Sequence, residues 1–249
     1  MFDDAQPVEL APAVRPILPI ERLSAVIEVI LCSGLPTQLL VIAVIRGFGV
    51  PATTADGLLT PQFVFLLSSI DTVLVIGLVV LLLKAHRESV RDVLIGRGRA
   101  LREVGIGLLL IPVIFVLVVL VLGVVLHYAP HLRNVPVNPL RGLLQTRSDI
   151  IIFAFVAMIA GGVREEVQRG FIIHRFDGYL GSGLIGAVSY GVIFGILHLE
   201  QGWDASIATG TLGITWGLIY LRRRSIIAPV VSHAGFNLAQ IVKAVTLSP

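Results

Sequence analysis

Four charged residues fall within six positions of the stretch GGVREEVQRGFIIHRF, residues 161–176: Arg164, Glu165, Glu166 and Arg169. They follow DIIIFAFVAMIA, a run apolar enough to sit in lipid. On a helix Glu165 lies one turn before Arg169 and Glu166 three residues before it, so either carboxylate can meet the guanidinium on one face. Adjacent carboxylates repel, and loss of water adds to the cost. The pair is therefore expected to divide, one glutamate staying ionised against Arg169 and the other becoming a stronger base. A base of that kind activates water. Taken alone, the segment also reads as an ion-paired helix end emerging at a membrane surface.

Two further apolar stretches carry polar groups of the same class. In YGVIFGILHLE, Tyr190, Phe194 and His198 recur every four residues and form an aromatic stripe leading to an imidazole. In IIAPVVSHAGFNLAQIV, His233 and Asn237 share one helical face a turn apart. There they can hydrogen-bond another helix, or together hold a carbonyl oxygen or a metal. A lone histidine on an apolar helix is more often packing than chemistry. The weight lies in the combination, since three separate apolar spans each carry a carboxylate or an imidazole. Asp71, preceded by Ser68 and Ser69, has no partner motif around it and reads as an interhelical hydrogen-bonding group or a neutral acid. Glu200 and Asp204 flank Trp203 at an expected membrane interface and need no special role.

The elements that position these groups must be helices in a bilayer. Of the 249 residues 55% are hydrophobic and only 14% charged, against about 25% in an ordinary soluble domain, and the mean hydropathy is +0.92. The expected fold is all-α, a polytopic bundle of about seven transmembrane helices near 24–46, 63–84, 104–127, 150–172, 183–200, 205–221 and 226–245. Residues 1–21 open with two aspartates and carry four prolines, and read as a flexible lead before a bundle spanning 22–249. The net charge of +3 resides largely in short loops, which points to membrane topology rather than nucleic acid. Lys84, Arg87, Arg91, Arg97, Arg99 and Arg102 fall in one loop and Arg222, Arg223 and Arg224 in another. Both are expected on the cytoplasmic side of a cell membrane, with the N-terminus. The segment ESVRDVLIGRGRALREVG reads either as a helix along the inner surface or as a solvated loop. Small residues at Ala187, Gly191 and Gly195, and at Gly213 and Gly217, predict close packing of spans five and six. Cys32, the single cysteine, can form no internal disulfide.

The residues resemble the CAAX prenyl protease and bacteriocin-processing (Abi) family of intramembrane proteases, the type II CAAX prenyl endopeptidases among them. The family pattern is a glutamate pair followed by arginine, then Phe-x-x-x-His, then His-x-x-x-Asn on successive core helices. Here the last two read FGILH, Phe194 to His198, and HAGFN, His233 to Asn237. The resemblance covers about residues 150–245. The chain departs from the pattern at the first motif. If Arg169-Gly170-Phe171 is matched to the family's Arg-Gly-Phe, Arg164 stands where the first glutamate is expected, Glu165 takes the place of the second, and Glu166 is additional. If the glutamates are matched instead, the arginine arrives one residue early, a difference of about 100° around a helix.

The resemblance implies an endopeptidase acting on a membrane-associated peptide or protein, CAAX-like or another C-terminal segment. Glu165 or Glu166 would be the base, with Glu165 favoured, and His198 its partner. His233 with Asn237 would face the oxyanion or a metal, and Arg169 would balance charge. Glu165, His198 and His233 could alternatively hold zinc. The H-E-x-x-H spacing is absent, so a metal-free glutamate mechanism is preferred. From other classes, a transporter or proton relay would use the same buried groups, a haem protein would use His198 and His233 as axial ligands, and a scaffold or inactive family member would use none.

Overall fold

The computed structural model describes residues 16–136 and 138–247; residues 1–15 of the expected lead lie outside the described residues. The rest of that lead is not all coil, because helix α1 begins at Pro19. Proline at the first helical position costs nothing there, since its missing N–H has no intrahelical partner anyway. Glu21 accepts the Leu18 N–H at 2.8 Å and closes the turn.

The described residues form helices and connecting turns without a named strand. They are α1 (Pro19–Leu31), α2 (Leu35–Gly47), α3 (Pro61–Ala85), α4 (Ala100–Tyr128), α5 (Arg147–Val156), a π-helical segment (Ala157–Arg164), α6 (Glu165–Tyr179), α7 (Gly183–Ile196), α8 (Trp203–Arg223) and α9 (Ile227–Leu247). The chain is an all-α membrane bundle. Three helical stretches, Pro19–Gly47, Pro61–Ala85 and Ala100–Tyr128, are long and apolar enough to cross a bilayer by themselves. Outward-facing leucines and valines along α4, such as Leu109, Val116 and Leu120, give that helix an apolar exterior.

Two sequence expectations are modified. The first apolar span is a broken helix: α1 stops before Gly34, whose φ of +83° is left-handed, and Pro36 opens α2. Residues 88–102 form no extended surface helix. A short turn at Arg91–Ile95 tucks Val93 and Leu94 into the core, while Leu101 is exposed.

The two basic loops lie at one end of the bundle. Ile226 N–H donates to the Leu94 carbonyl at 2.8 Å, and the Tyr220 hydroxyl donates to the Val93 carbonyl at 2.9 Å. The loops between α2 and α3, α4 and α5, and α7 and α8 meet one another separately. Leu59 N–H donates to the Pro139 carbonyl, and Trp203 N–H to Asn134 Oδ1 at 3.0 Å. The expected sorting of loops into two sets is therefore present in the fold.

The close packing expected of α7 on α8 is also present. A Cβ added at Gly195 would sit 2.7 Å from the Ser206 carbonyl oxygen, and one at Gly217 would sit 3.0 Å from the Ala187 Cβ. Small residues let the two backbones approach where lipid supplies no hydrophobic drive.

Candidate active site

The charged stretch begins where the π-helical segment hands over to α6. π turns are rare and occur most often at functional positions. Two glycines inside this one, Gly161 and Gly162, let α9 approach. A Cβ at Gly162 would lie 2.7 Å from the Ala234 Cβ, and one at Gly161 would lie 2.7 Å from Asn237 Nδ2. His233 and Asn237 are thereby carried onto the face that holds the glutamates.

The two glutamates have different environments. Glu166 is 1% exposed, and its Oε1 forms an ion pair with Arg169 and a 2.8 Å hydrogen bond with His233 Nδ1. An ionised carboxylate only accepts, so the imidazole places its proton on Nδ1 and turns Nε2 outward. Glu165 has a side chain that is 13% exposed. Its Oε1 accepts from Arg164 Nη2 at 3.1 Å, and its Oε2 stands 3.9 Å from His233 Nε2. That gap is too long for a direct hydrogen bond and is the kind of polar separation that a water bridges.

His233 is held from both sides. Its ring stacks on Trp216 with centroids 3.7 Å apart and planes 16° apart, and the Phe194 ring meets it edge-on at 6.4 Å. Pro229, in the first turn of α9, leaves the helix intact. Asn237 donates from Nδ2 to the Ala157 carbonyl at 3.2 Å, which ties α9 to the start of the π segment.

Arg169 is completely buried, and its guanidinium lies 4.9 Å from the Phe194 centroid, 5.5 Å from Trp216 and 5.7 Å from Tyr190. Its Nε and Nη2 have no hydrogen-bond partner. Aromatic faces attract a desolvated cation, so the ring cage and Glu166 together hold a charge that lipid would reject. Tyr190 and Phe194 form the expected stripe leading to His198, with ring centroids 6.3 Å and 4.7 Å apart in turn. The stripe also lines the arginine, and Trp216 completes that lining from α8.

The other sequence candidates fall around this centre. His198 stands just beyond α7, in the turn before Leu199–Gln201, not inside a span reaching 200. It is half-buried, with Nδ1 2.7 Å from the Phe194 carbonyl oxygen and its ring 4.7 Å from the Phe194 ring. Phe194 thus joins His198 to His233, and the imidazole that meets the carboxylates is His233. Among the described residues, no three His, Cys, Asp or Glu side chains group closely enough to hold a metal. Glu165, His198 and His233 are not gathered into such a group, and the carboxylates of Glu165 and Glu166 each face a guanidinium. Asp71 does have a partner: its Oδ2 accepts from Arg164 Nη1 at 2.6 Å.

A second polar cluster escaped the sequence reading. Arg175, at the end of α6, is fully buried. It donates from Nε to Glu28 Oε2 at 2.5 Å and from Nη1 to Glu88 Oε2 at 2.6 Å. His86 meets Glu28 at 2.7 Å and His174 meets Glu88 at 2.9 Å. Burial pushes the Glu88 carboxyl up, but the hydrogen bonds from His174 and Arg175 outweigh it and leave the group below its ordinary value. The available signal was Glu28, a carboxylate in the otherwise apolar stretch AVIEVIL of α1.

Residues 147–239 match the family model described as type II CAAX prenyl endopeptidase Rce1-like. Over these residues the chain is similar to that family. No curated protein and no solved structure matches the chain. The Rce1-like segment begins at α5 and ends within α9. It therefore contains both glutamates, Arg169, His198, His233 and Asn237, and it supports a membrane peptidase. Asp71, Glu28 and Glu88, which neutralise two of its arginines, lie outside it.

Proposed function

We propose that the chain is an intramembrane endopeptidase that hydrolyses a peptide bond of a membrane-associated substrate, CAAX-like or another C-terminal segment, with Glu165 activating the water. The observation that carries this reading is the unequal use of the two glutamates. Glu166 is consumed by Arg169 and His233, while Glu165 keeps Oε2 facing His233 Nε2 across 3.9 Å.

A water beside that gap gives its proton to Glu165 as it attacks the scissile carbonyl. His233, oriented by Glu166 as a carboxylate orients a catalytic imidazole elsewhere, takes that proton from Glu165 at Nε2 and passes it to the departing amine as the C–N bond breaks. The amide of Asn237 has two N–H donors, and the one not given to Ala157 is offered to the oxyanion, where a positioned donor acts with most effect. We assign His198 the assisting role that the family resemblance implies, at the substrate side of Phe194. The N-terminus is cytoplasmic in this scheme, with both basic loops, and no step passes through a metal.

The test uses the purified full chain in lipid and a panel of membrane-anchored peptides. Glu165→Gln and His233→Ala are expected to lose cleavage of a substrate that the wild type cuts, and exhaustive metal removal to leave wild-type cleavage intact. Full activity in Glu165→Gln removes the proposed base. Activity lost with metal and regained on its return removes the metal-free route.

A further inference from the structure

The charge of Arg164, beside the glutamate pair, has its counterpart outside the matched segment. Asp71 is 1% exposed in the middle of α3, and Arg164 is 8% exposed at the end of the π segment. Their side chains meet at 2.6 Å across 93 positions of sequence. Both groups are costly in a bilayer unless paired.

The guanidinium of Arg164 is directed on three sides. Nη1 donates to Asp71, Nη2 to Glu165 at 3.1 Å, and Nε lies 3.5 Å from the Ala160 carbonyl oxygen. The break between α1 and α2 confines it further, since a Cβ at Gly34 would come within 3.5 Å of Nη1. A planar fork fixed at three edges has one orientation, and that orientation aims Nη2 at the carboxylate of Glu165.

We infer that Asp71 is a positioning residue for the reaction, holding Arg164 across the bundle so that Arg164 in turn fixes the carboxylate of Glu165 toward His233. This rests on the proposed role of Glu165. Asp71 is the acidic partner of Arg164 and supplies its carboxylate from a helix that the family model does not cover. Without Asp71 both guanidinium edges are free to turn onto Glu165, and the carboxylate is drawn away from the imidazole.

The test compares Asp71→Asn, Arg164→Gln and the double variant Asp71→Asn/Arg164→Gln with wild type and Glu165→Gln, measuring kcat, KM and thermal stability on one cleaved peptide. Asp71→Asn is expected to lower kcat by about 10²-fold, the scale of a misplaced catalytic group, with KM within about twofold of wild type. The charge-neutral double variant keeps the fold where the single one does not. Its kcat is expected to match that of Arg164→Gln, because a residue acting only through another has nothing left to lose once that other is gone. Wild-type kcat in folded Asp71→Asn overturns the inference. So does a further fall of similar size when Asp71→Asn is added to Arg164→Gln. Wild-type kcat in Glu165→Gln instead overturns the base assignment, a result read from a separate variant.

Discussion

The neighbouring glutamates should fail in opposite ways. Glu166→Gln strips the carboxylate charge from Arg169, which is fully buried and already has two nitrogens without a hydrogen-bond partner. Removing one member of a buried ion pair costs about 3–5 kcal/mol, because the other charge is left uncompensated. The amide also changes what His233 Nδ1 meets. In a chain of this size each kcal/mol moves the melting temperature by about 2–4 °C, so the expected fall is roughly 6–20 °C. Glu165→Gln leaves Arg164 paired with Asp71, and the amide oxygen still accepts from Nη2. The expected cost is about 1 kcal/mol, with cleavage lost. Thermal unfolding in the same lipid or detergent, read beside peptide cleavage, separates the two. A Glu166→Gln protein as stable as wild type refutes the buried-pair argument, and one that is stable and active while Glu165→Gln is unstable reverses the roles.

The Glu88 carboxyl is held below its ordinary value of 4.5, so its stabilisation is present above about that pH and is lost as pH falls through the folded value. Glu88→Gln should lower the melting temperature at pH 7 and flatten its decline below pH 4.5, where Glu88 faces His174 and Arg175, and Arg175 faces Glu28 with His86; an unchanged acid slope contradicts this. Gly162→Leu should abolish cleavage by pushing α9 off the π segment, since even a Cβ would meet Ala234 at 2.7 Å; wild-type kcat in this variant would mean that the helices need not approach so closely.

Much of this arrangement was legible in the sequence because lipid makes polar residues conspicuous. Glu165, Glu166, His233 and Asn237 stood out in apolar runs at helical spacing, and the fold does bring them together. The small residues of α7 and α8 announced a close contact for the same kind of reason. What one sequence does not display is which distant residue neutralises a charge. Asp71 looked isolated because Arg164 is 93 positions away, and Arg175 looked like an ordinary helix end because Glu28 and Glu88 belong to other elements. The spacing of Tyr190 and Phe194 pointed to His198, which the Phe194 ring does meet, but not to Arg169, whose cage needs Trp216 from another helix. The break at Gly34 was written in Ser33-Gly34-Leu35-Pro36, whose turn character the surrounding apolar residues masked. The π segment has no hydrophobic period that distinguishes it from the helices it joins.

The counter-charges of Arg164 and Arg175 bear on how the bundle is made. An arginine buried in a membrane protein is costly unless paired, and this chain buries two whose carboxylates come from α1, α3 and the turn after α3. Synthesis runs from the N-terminus, so Glu28, Asp71 and Glu88 enter before α6 emerges. The early helices thus act as a resident acceptor for a late and otherwise unwelcome segment. A chain shortened to residues 147–239 would have to insert those arginines without Glu28, Asp71 and Glu88.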